Sequence, residues 1–497
     1  MFDFGIIPPA MFLGMALFML YGFPVAFSLA AVGMFFALVG IATGHFSEVF
    51  LQALPLRIFG IISNDLLLAI PFFTLMGAIL ERCGLAEDLL EGTGKLFGRI
   101  PGGLAYAVIF VGAILGAITG TVAASVITMG MISLPIMLRY GYNARLATGV
   151  IAASGTITQL IPPSLVLVIL ADQLGRSVGD MYLGAIGPSI IQVLIFTLYI
   201  VIISIVKPQM VPALPKEARG DFGWGLLWTV LAGMVPSIVL IFLVLGTIFI
   251  GLATPTEAGA MGVVGAMLLA AMNRRLTLKL LREAMRSTMR ITSMVVMILI
   301  GSTCFSLVFQ GMDGSLWIEH MLSGIPGGPV GFLIFVNIAI FILAFFLDFF
   351  EIAFIIIPML APVATALGID LIWFGVLICV NMQTSFMHPP FGFALFYLRS
   401  IASKEVKTSD IYMGALPWVG MQILLVAIVI FWPESVTMWL DKGPPIDLST
   451  IKIEIPGFGS QGGGMTLPPI GGDSGLPGSA PSLPQPGIDL SQPPVFK

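Results

Sequence analysis

Apolar segments alternate with short polar stretches along the chain, up to about residue 435. A helix that crosses a bilayer needs about 20 consecutive apolar residues. The pattern therefore predicts an all-α polytopic membrane protein. The predicted apolar segments are residues 9–41, which Gly22 and Pro24 interrupt, and residues 66–81, 104–138, 146–171, 184–206, 226–250, 255–272, 291–309, 329–366, 371–398 and 413–433.

Two of these segments, 104–138 and 329–366, are too long for a single crossing. Each carries polar or glycine residues near its centre. We interpret each segment as a re-entrant hairpin that enters the membrane and returns to the same side. Two full crossings with the same ends are the alternative. A non-helical tip at membrane depth is tolerated only where protein or a water-filled cavity covers it.

The chain contains an internal repeat. Pro135 is followed after six residues by Gly141 and after 27 residues by the pair Pro162-Pro163, and the same spacing follows Pro362 in the second half. In membrane proteins, apolar segments interrupted by Gly and Pro at matching positions of two halves indicate a transporter.

Basic loop residues predict the orientation of the two halves. If both hairpins return, one side of the membrane receives most of the loop Arg and Lys residues and is therefore cytoplasmic. The first hairpin then opens to the cytoplasm and the second to the outside, which makes the repeat an inverted one. The basic residues on the cytoplasmic side are Arg82, Lys95, Arg99, Arg139, Arg145, Lys207, Lys216, Arg219, the cluster from Arg274 to Arg290, Arg399, Lys404 and Lys407.

The two proline pairs predict two broken helices. A proline pair removes backbone donors and disfavours the preceding helical turn, so carbonyl oxygens become available beside hydroxyl and amide groups. Hard cations prefer such oxygen ligands, and the half-helix after each break directs its positive end at an anion. A kinked helix with its hydroxyl groups bonded to its own carbonyls is the simpler interpretation. The residues predicted to contact a substrate at these breaks are Thr156, Gln159, Gln383, Thr384 and His388.

The hairpin tips add candidate cation ligands, because ionisable groups at membrane depth are usually functional. For Asp348 and Glu351, helix capping is an alternative role that is compatible with ion binding. For His388, a purely structural role is the alternative. The predicted cation ligands of tips and breaks together are Thr119, Gly120, Thr121, Ser154, Gly155, Asp348, Glu351 and Asn381.

Composition excludes several classes of function. Hydrophobic residues form 58% of the chain and charged residues 10%, with a formal net charge of −4, and no basic cluster indicates nucleic-acid binding. Cys83, Cys304 and Cys379 are isolated, which excludes a zinc or disulfide framework. The sequence contains no phosphate-binding loop of the ATPase type. It also lacks the Ser/His, His-Glu-x-x-His and paired-Asp spacings of intramembrane enzymes, so we predict that it is not an enzyme. A channel would need a ring of polar residues along one path, which two breaks in a single chain do not suggest.

The predicted organisation has five parts. The last part is rich in Gly and Pro and is expected to be disordered, because it cannot bury enough apolar surface to fold. In order, the parts are N-terminal helices with an interfacial segment (1–65), a first repeat (66–215), connecting scaffold helices (216–290), a second repeat (291–434) and the tail (435–497).

Several motifs, taken together and in order, carry a family resemblance. The chain up to about residue 433 resembles the large membrane subunit of tripartite ATP-independent periplasmic (TRAP) transporters. The motifs are Gly22-Phe23-Pro24-Val25-Ala26-Phe27, Gly155-Thr156 followed by Ile161-Pro162-Pro163-Ser164, Ala253-Thr254-Pro255-Thr256-Glu257-Ala258, and Val380-Asn381 leading to Pro389-Pro390-Phe391-Gly392.

The resemblance implies an elevator-type transporter in the cytoplasmic (inner) membrane of a bacterium or archaeon. It also implies sodium ions bound at the tips and breaks, a small four-helix membrane subunit, and a periplasmic substrate-binding protein that delivers an organic acid. The sequence departs from the commoner family pattern at Asp348-Phe349-Phe350-Glu351, at His388, and at Thr119 and Thr121. It resembles the branch associated with mannitol, chloroaromatic compounds or 2-oxo acids, and the choice among these stays open. An ion-coupled inverted-repeat transporter of another family, without a binding protein, is the alternative.

Overall fold

The structure is a computed structural model that describes residues 6–119, 121–215, 224–323, 325–345, 347, 349–390 and 392–440. Gly120, Asp348, the side chain of Thr119 and the predicted tail from residue 441 onward lie outside this description. Within the described ranges, every regular element is a helix. The α-helices are α1 (Ile7–Leu20), α2 (Val25–Thr43), α3 (Val49–Gln52), α4 (Leu54–Ile62), α5 (Asp65–Arg82), α6 (Leu85–Phe97), α7 (Gly103–Thr119), α8 (Val122–Arg139), α9 (Ala144–Thr156), α10 (Leu165–Gln173), α11 (Val178–Val206), α12 (Trp224–Phe249), α13 (Pro255–Met272), α14 (Leu278–Gly311), α15 (Gly314–Ser323), α16 (Gly328–Leu343), α17 (Phe349–Glu351), α18 (Ile357–Ala366), α19 (Leu371–Ser385), α20 (Phe393–Ile401), α21 (Thr408–Phe431) and α22 (Glu434–Thr437).

The described helices are those of a multi-pass membrane protein. Seven of them are long and apolar enough to cross a bilayer, and an eighth span results if the bent pair Val49–Ile62 and Asp65–Arg82 crosses as one unit. The prediction of an all-α polytopic fold is therefore confirmed.

Each of the two long apolar segments divides into a pair of helices. In the first half, α7 ends at Thr119, α8 begins at Val122, and the two helices contact each other. In the second half, α16 is followed by α17, a π-helical turn (Ile352–Ile356) and α18. The second pair is packed against other helices, α16 against α19 and α18 against α15.

The internal repeat is visible in the backbone. Gly141 and Gly368 have φ angles of 83° and 70°, in the left-handed region that favours glycine. Two residues later, Asn143 and Asp370 cap α9 and α19. Each cap accepts a hydrogen bond from the backbone N–H two residues further on, at 3.0 and 2.9 Å. An equivalent local pattern, a left-handed glycine followed by a capping Asn or Asp, thus starts the broken helix of each half.

Two predicted boundaries differ from the structure. The boundary at 290/291 falls inside α14, which begins at Leu278 because the Thr277 hydroxyl caps it by accepting a hydrogen bond from the Leu280 N–H at 3.1 Å. The tail was predicted to begin at 435, yet Glu434–Thr437 forms α22, and this helix packs against α11 and α19. Packing extends the ordered region beyond the last apolar run.

The helices form two groups of contacts. In one group, α14 packs against α2, α4 and α5, and α13 packs against α5. In the other, α9 packs against α7, α8 and α21, and α19 packs against α11, α16 and α21. The broken helices therefore lie among the helix pairs and the last helix of each half.

Helices α9 and α21 approach closely through glycines. A Cβ atom on Gly149 would collide with the carbonyl oxygen of Gly414, and one on Gly414 would collide with that of Arg145. Backbone cannot yield as a flexible side chain can. Small residues at these positions are therefore required for the contact.

We expect Gly414→Leu to lower the midpoint of thermal unfolding of the detergent-solubilised protein by roughly 5 °C or more, because α21 must move away from α9. Gly420→Leu on the same helix is the matched control, since a Cβ atom there meets nothing within 4 Å. An equal effect of the two substitutions in a fluorescence-monitored melt would contradict this contact.

Candidate functional site

The first broken helix ends in a 3-10 turn. Helix α9 continues through Ile157–Gln159, the chain is then irregular, and α10 begins after Ser164. The Thr158 hydroxyl donates to the carbonyl of Gly155 at 2.9 Å, and the Ser164 hydroxyl donates to the carbonyl of Gln159. These two hydroxyls therefore satisfy their own segment, as the simpler interpretation of the break expects.

The second broken helix shows the same behaviour. The Thr384 hydroxyl donates to the carbonyl of Asn381 at 2.7 Å, within α19. In the irregular stretch that follows, the N–H of Gly392 donates to the carbonyl of His388 at 2.6 Å. A Cβ atom on Gly392 would lie 2.6 Å from the carbonyl oxygen of Phe386, so the chain can turn this tightly only at a glycine. Thr384 thus acts inside its own helix.

A cavity of about 240 Å³ lies where both breaks and both helix pairs meet. It joins all four of these segments with α14. Its wall is largely apolar and aromatic. The lining residues are Thr121, Val122 and Ala123 at the start of α8, Gln159, Leu165 and Val166 at the first break, Ile291 and Met294 on α14, Phe349 and Phe350 on α17, and Phe386, Phe393 and Tyr397 at the second break.

Three helix N-termini converge on this cavity. The first residues of α8, α10 and α20 all line it, and these helices have 18, 9 and 9 residues. An N-terminal turn carries the positive end of the helix dipole. Some first-turn N–H groups are paired here, since Val166 of α10 donates to the Ser164 hydroxyl and Ala394 of α20 donates to the Phe386 carbonyl. None of the lining residues is charged. The cavity therefore suits a small solute with an anionic group for the helix ends and an apolar body for the aromatic wall.

Two predicted ligands line this cavity directly. Thr121 is the N-cap residue of α8, and its side chain makes no capping hydrogen bond. Gln159 is buried, and its side-chain oxygen has no hydrogen-bond partner among the described residues. A buried amide without a partner is costly, so Gln159 is suited to a ligand that supplies the missing donor.

The repeat-matched residues Ser154 and Asn381 do not line the cavity. Ser154 packs against Gly112 of α7, where a Cβ atom would lie 2.7 Å from that of Ser154. Its buried hydroxyl has no partner in the part of the chain that the structure describes. Asn381 donates from its side chain to the carbonyl of Asn337 on α16 at 2.8 Å. Each residue therefore contacts the first arm of the helix pair in its own half.

Gly155 and Glu351 occupy buried positions at the edges of the site. A Cβ atom on Gly155 would collide with the Val126 side chain of α8, so this glycine allows the break to approach the first helix pair. Glu351 ends α17 and is 6% exposed.

Three of the predicted substrate contacts point elsewhere. His388 is 1% exposed and lies between Phe341 and Phe345 of the second half, with ring centroids 4.1 and 4.4 Å away. Thr156 accepts a hydrogen bond from the Gln422 amide at 2.9 Å, and the Gln383 side-chain oxygen accepts one from the Gln192 amide at 2.5 Å. None of the three lines the cavity.

The aromatic wall was missed by the sequence reasoning. Phe349, Phe350, Phe386 and Phe393 line the cavity, but phenylalanine is common throughout this chain, with 37 copies. A search for polar interruptions of apolar segments does not select these residues. Their proximity to the two breaks and to the second tip is the only sequence signal that could have found them.

The profile of the family described as "Tripartite ATP-independent periplasmic transporter, DctM component" matches residues 12–435. The chain belongs to this family. The resemblance read from the motifs is thereby confirmed, and the relatives of this permease are transporters rather than enzymes.

Relatives that are named for different solutes have similar sequence identities to this permease. It is 30% identical to the C4-dicarboxylate TRAP transporter large permease protein DctM of Pseudomonas aeruginosa, over 78% of this chain and 89% of the relative. It is 28% identical to the sialic acid TRAP transporter large permease protein SiaM of Vibrio cholerae, over 83% and 93%. It is also 28% identical to the ectoine TRAP transporter large permease protein TeaC of Halomonas elongata, over 84% and 95%.

The fold also resembles that of a solved transporter. The YdaH transporter of Alcanivorax borkumensis superposes with a TM-score of 0.54 at 15% sequence identity, covering 77% of this chain and 88% of that one. At this level of identity the likeness concerns the fold alone.

Filling the cavity should block transport. We expect Ala123→Trp to reduce uptake of any accepted solute by roughly tenfold or more, because the indole occupies space that the solute needs. Ala271→Trp on the exposed face of α13 is the control. The measurement is uptake into proteoliposomes at matched amounts of folded protein, and equal uptake by the two variants would show that solute binds elsewhere.

Proposed function

We propose that this permease takes up an organic acid in symport with sodium across the inner membrane. A periplasmic binding protein delivers the solute, and a small four-helix membrane subunit completes the complex. The observation that carries the proposal is the convergence of three helix N-termini and both breaks on one cavity. The family places this chain among large permeases of tripartite transporters.

The solute is proposed to be a carboxylate with an apolar body. Its carboxylate faces the N-terminal turns of α8, α10 and α20, whose backbone N–H groups are suited to an anion. Its body packs against the phenylalanine side chains of the cavity. Two of the relatives are named for acids, a C4-dicarboxylate and sialic acid. In this pose the Gln159 amide oxygen accepts from a hydroxyl on the solute.

Sodium is proposed to bind just behind the solute, once in each half. In the first half, the oxygen atoms come from Ser154, Gly155 and residues 119–121. In the second half, they come from Asn381, Asp348 and Glu351. Sodium prefers oxygen ligands, and the buried Ser154 hydroxyl is available to it. An ion at either position raises the positive potential felt by an anionic solute, which couples the two.

Transport is proposed to follow an elevator mechanism. The two helix pairs, as re-entrant hairpins, move together with the broken helices, and α14 forms the fixed wall through Ile291 and Met294. The proposed cytoplasmic side is the one that receives most basic loop residues, such as Arg139 and Arg399. Motion of this kind carries the cavity past α14 and exposes it to one side at a time.

Uptake should require a sodium gradient. In proteoliposomes that contain the permease, the small subunit and the binding protein, we expect solute accumulation with sodium outside and little with potassium in its place. A panel of C4-dicarboxylates and 2-oxo acids provides the solutes, and omission of the binding protein tests the tripartite assignment. Undiminished uptake in potassium without a proton gradient would contradict the coupling. Full uptake without the binding protein would favour the alternative, a transporter that works alone.

Removing the free hydroxyl of Ser154 should weaken sodium activation. We expect Ser154→Ala to raise the sodium concentration for half-maximal uptake by roughly tenfold, equivalent to about 1.4 kcal/mol. Ser133→Ala is the matched control, because Ser133 on α8 is also buried with a hydroxyl that lacks a described partner, but it belongs to neither of the proposed ion sites. An unchanged sodium requirement in folded Ser154→Ala would remove this residue from the ion site.

A further inference from the structure

Two buried glutamines occupy equivalent places in the two halves. Gln192 is the fifteenth residue of α11, and Gln422 is the fifteenth residue of α21. Their exposures are 1% and 0%. The helices contact each other, and one turn away Phe196 and Trp418 pack with ring centroids 5.0 Å apart. The two amides therefore lie at a similar level inside the protein.

Each glutamine donates to a broken helix of the other half. Gln422, from the second half, donates to the Thr156 hydroxyl oxygen at 2.9 Å. Gln192, from the first half, donates to the Gln383 side-chain oxygen at 2.5 Å. The two acceptors are themselves equivalent, since Thr156 lies six residues before Pro162 and Gln383 six residues before Pro389. The two hydrogen bonds are thus a reciprocal pair that the repeat generates.

We propose that Gln192 and Gln422 are positioning residues that brace the two broken helices, each from the opposite half. The last turn before a break has lost the next helical turn as a neighbour, so its orientation depends on such lateral contacts. A hydrogen bond between buried amides and hydroxyls is strengthened by the low local dielectric, and its loss leaves a buried group unpaired. The consequence for transport rests on the proposed function, but the brace itself rests on these contacts.

The brace reaches the cavity through the contact between the two broken helices. Cys379, one turn before Gln383 on α19, donates from its thiol to the carbonyl oxygen of Gln159 at 3.4 Å. Gln159 lines the cavity. A shift of either broken helix therefore changes this contact and moves a residue of the solute site. In this way the two half-sites move as one unit.

The native thiol of Cys379 provides a direct test. It is fully buried in the structure, as are the free cysteines Cys83 and Cys304, which serve as internal references. We expect Gln192→Met and Gln422→Met to raise the rate of Cys379 alkylation by N-ethylmaleimide by roughly tenfold, measured by peptide mass spectrometry on the full chain. Methionine keeps the length of the side chain and removes only the amide. The two reference cysteines should keep their wild-type rates.

Matched variants separate the brace from general destabilisation. Gln310→Met on α14 is the control, because Gln310 is exposed and only accepts from Arg57. The acceptor-side variant Thr156→Val should also accelerate the alkylation of Cys379. Combining it with Gln422→Met should add little to that rate, because both substitutions remove the same hydrogen bond. If a methionine variant does not fold, the isosteric Thr156→Val carries the test alone.

Three results would overturn the brace. One is a wild-type alkylation rate of Cys379 in both glutamine variants and in Thr156→Val. Another is equal acceleration of all three cysteines, which would indicate general loosening. The third is full additivity of Gln422→Met and Thr156→Val. All measurements are made in potassium chloride without solute or partner proteins, so a failure of sodium coupling would contradict the proposed function and leave the expected alkylation pattern unchanged.

Discussion

Every backbone polar group inside a bilayer must find a partner in the protein. The two breaks in this permease are possible only because other groups of the protein supply such partners. At the first break, the carbonyl of Gln159 accepts from Ser164 and from the Cys379 thiol, and that of Leu160 accepts from the Ser189 hydroxyl at 3.2 Å. At the second, the carbonyl of Phe386 accepts from the Ala394 N–H at 3.0 Å. Side chains and backbone groups of neighbouring segments therefore donate the hydrogen bonds that these carbonyls lose where the proline pairs interrupt the helices.

The same constraint bears on the cavity where the two breaks meet. The first turns of α8, α10 and α20 all lie at this cavity, and each carries the positive end of a helix dipole. These ends provide positive potential without a charged side chain, which would be expensive to bury in a membrane. The surrounding phenylalanines give the cavity an apolar wall, and a low local dielectric strengthens such a potential. Backbone geometry, more than side-chain charge, makes this site suitable for an anion.

Much of the local structure followed from the sequence. The proline pairs, the caps Asn143 and Asp370 and the left-handed glycines before them act within a few residues, so the local sequence is sufficient to start and interrupt both broken helices. Of the predicted ligands, Thr121 and Gln159 line the cavity, and their role in binding stays a prediction. The start of α14 was missed, because a polar first half hides a helix from a search for apolar runs.

The sequence alone determined the membrane class, the repeat and the positions of the breaks, because these depend on residues close together in the chain. The tertiary structure alone decided which polar groups are available to a ligand. Thr384 bonds within its own helix, and Thr156 is held by Gln422, more than 260 residues away, while Ser154 has no described partner. Such choices depend on which helices pack together, and that information is spread over the whole chain.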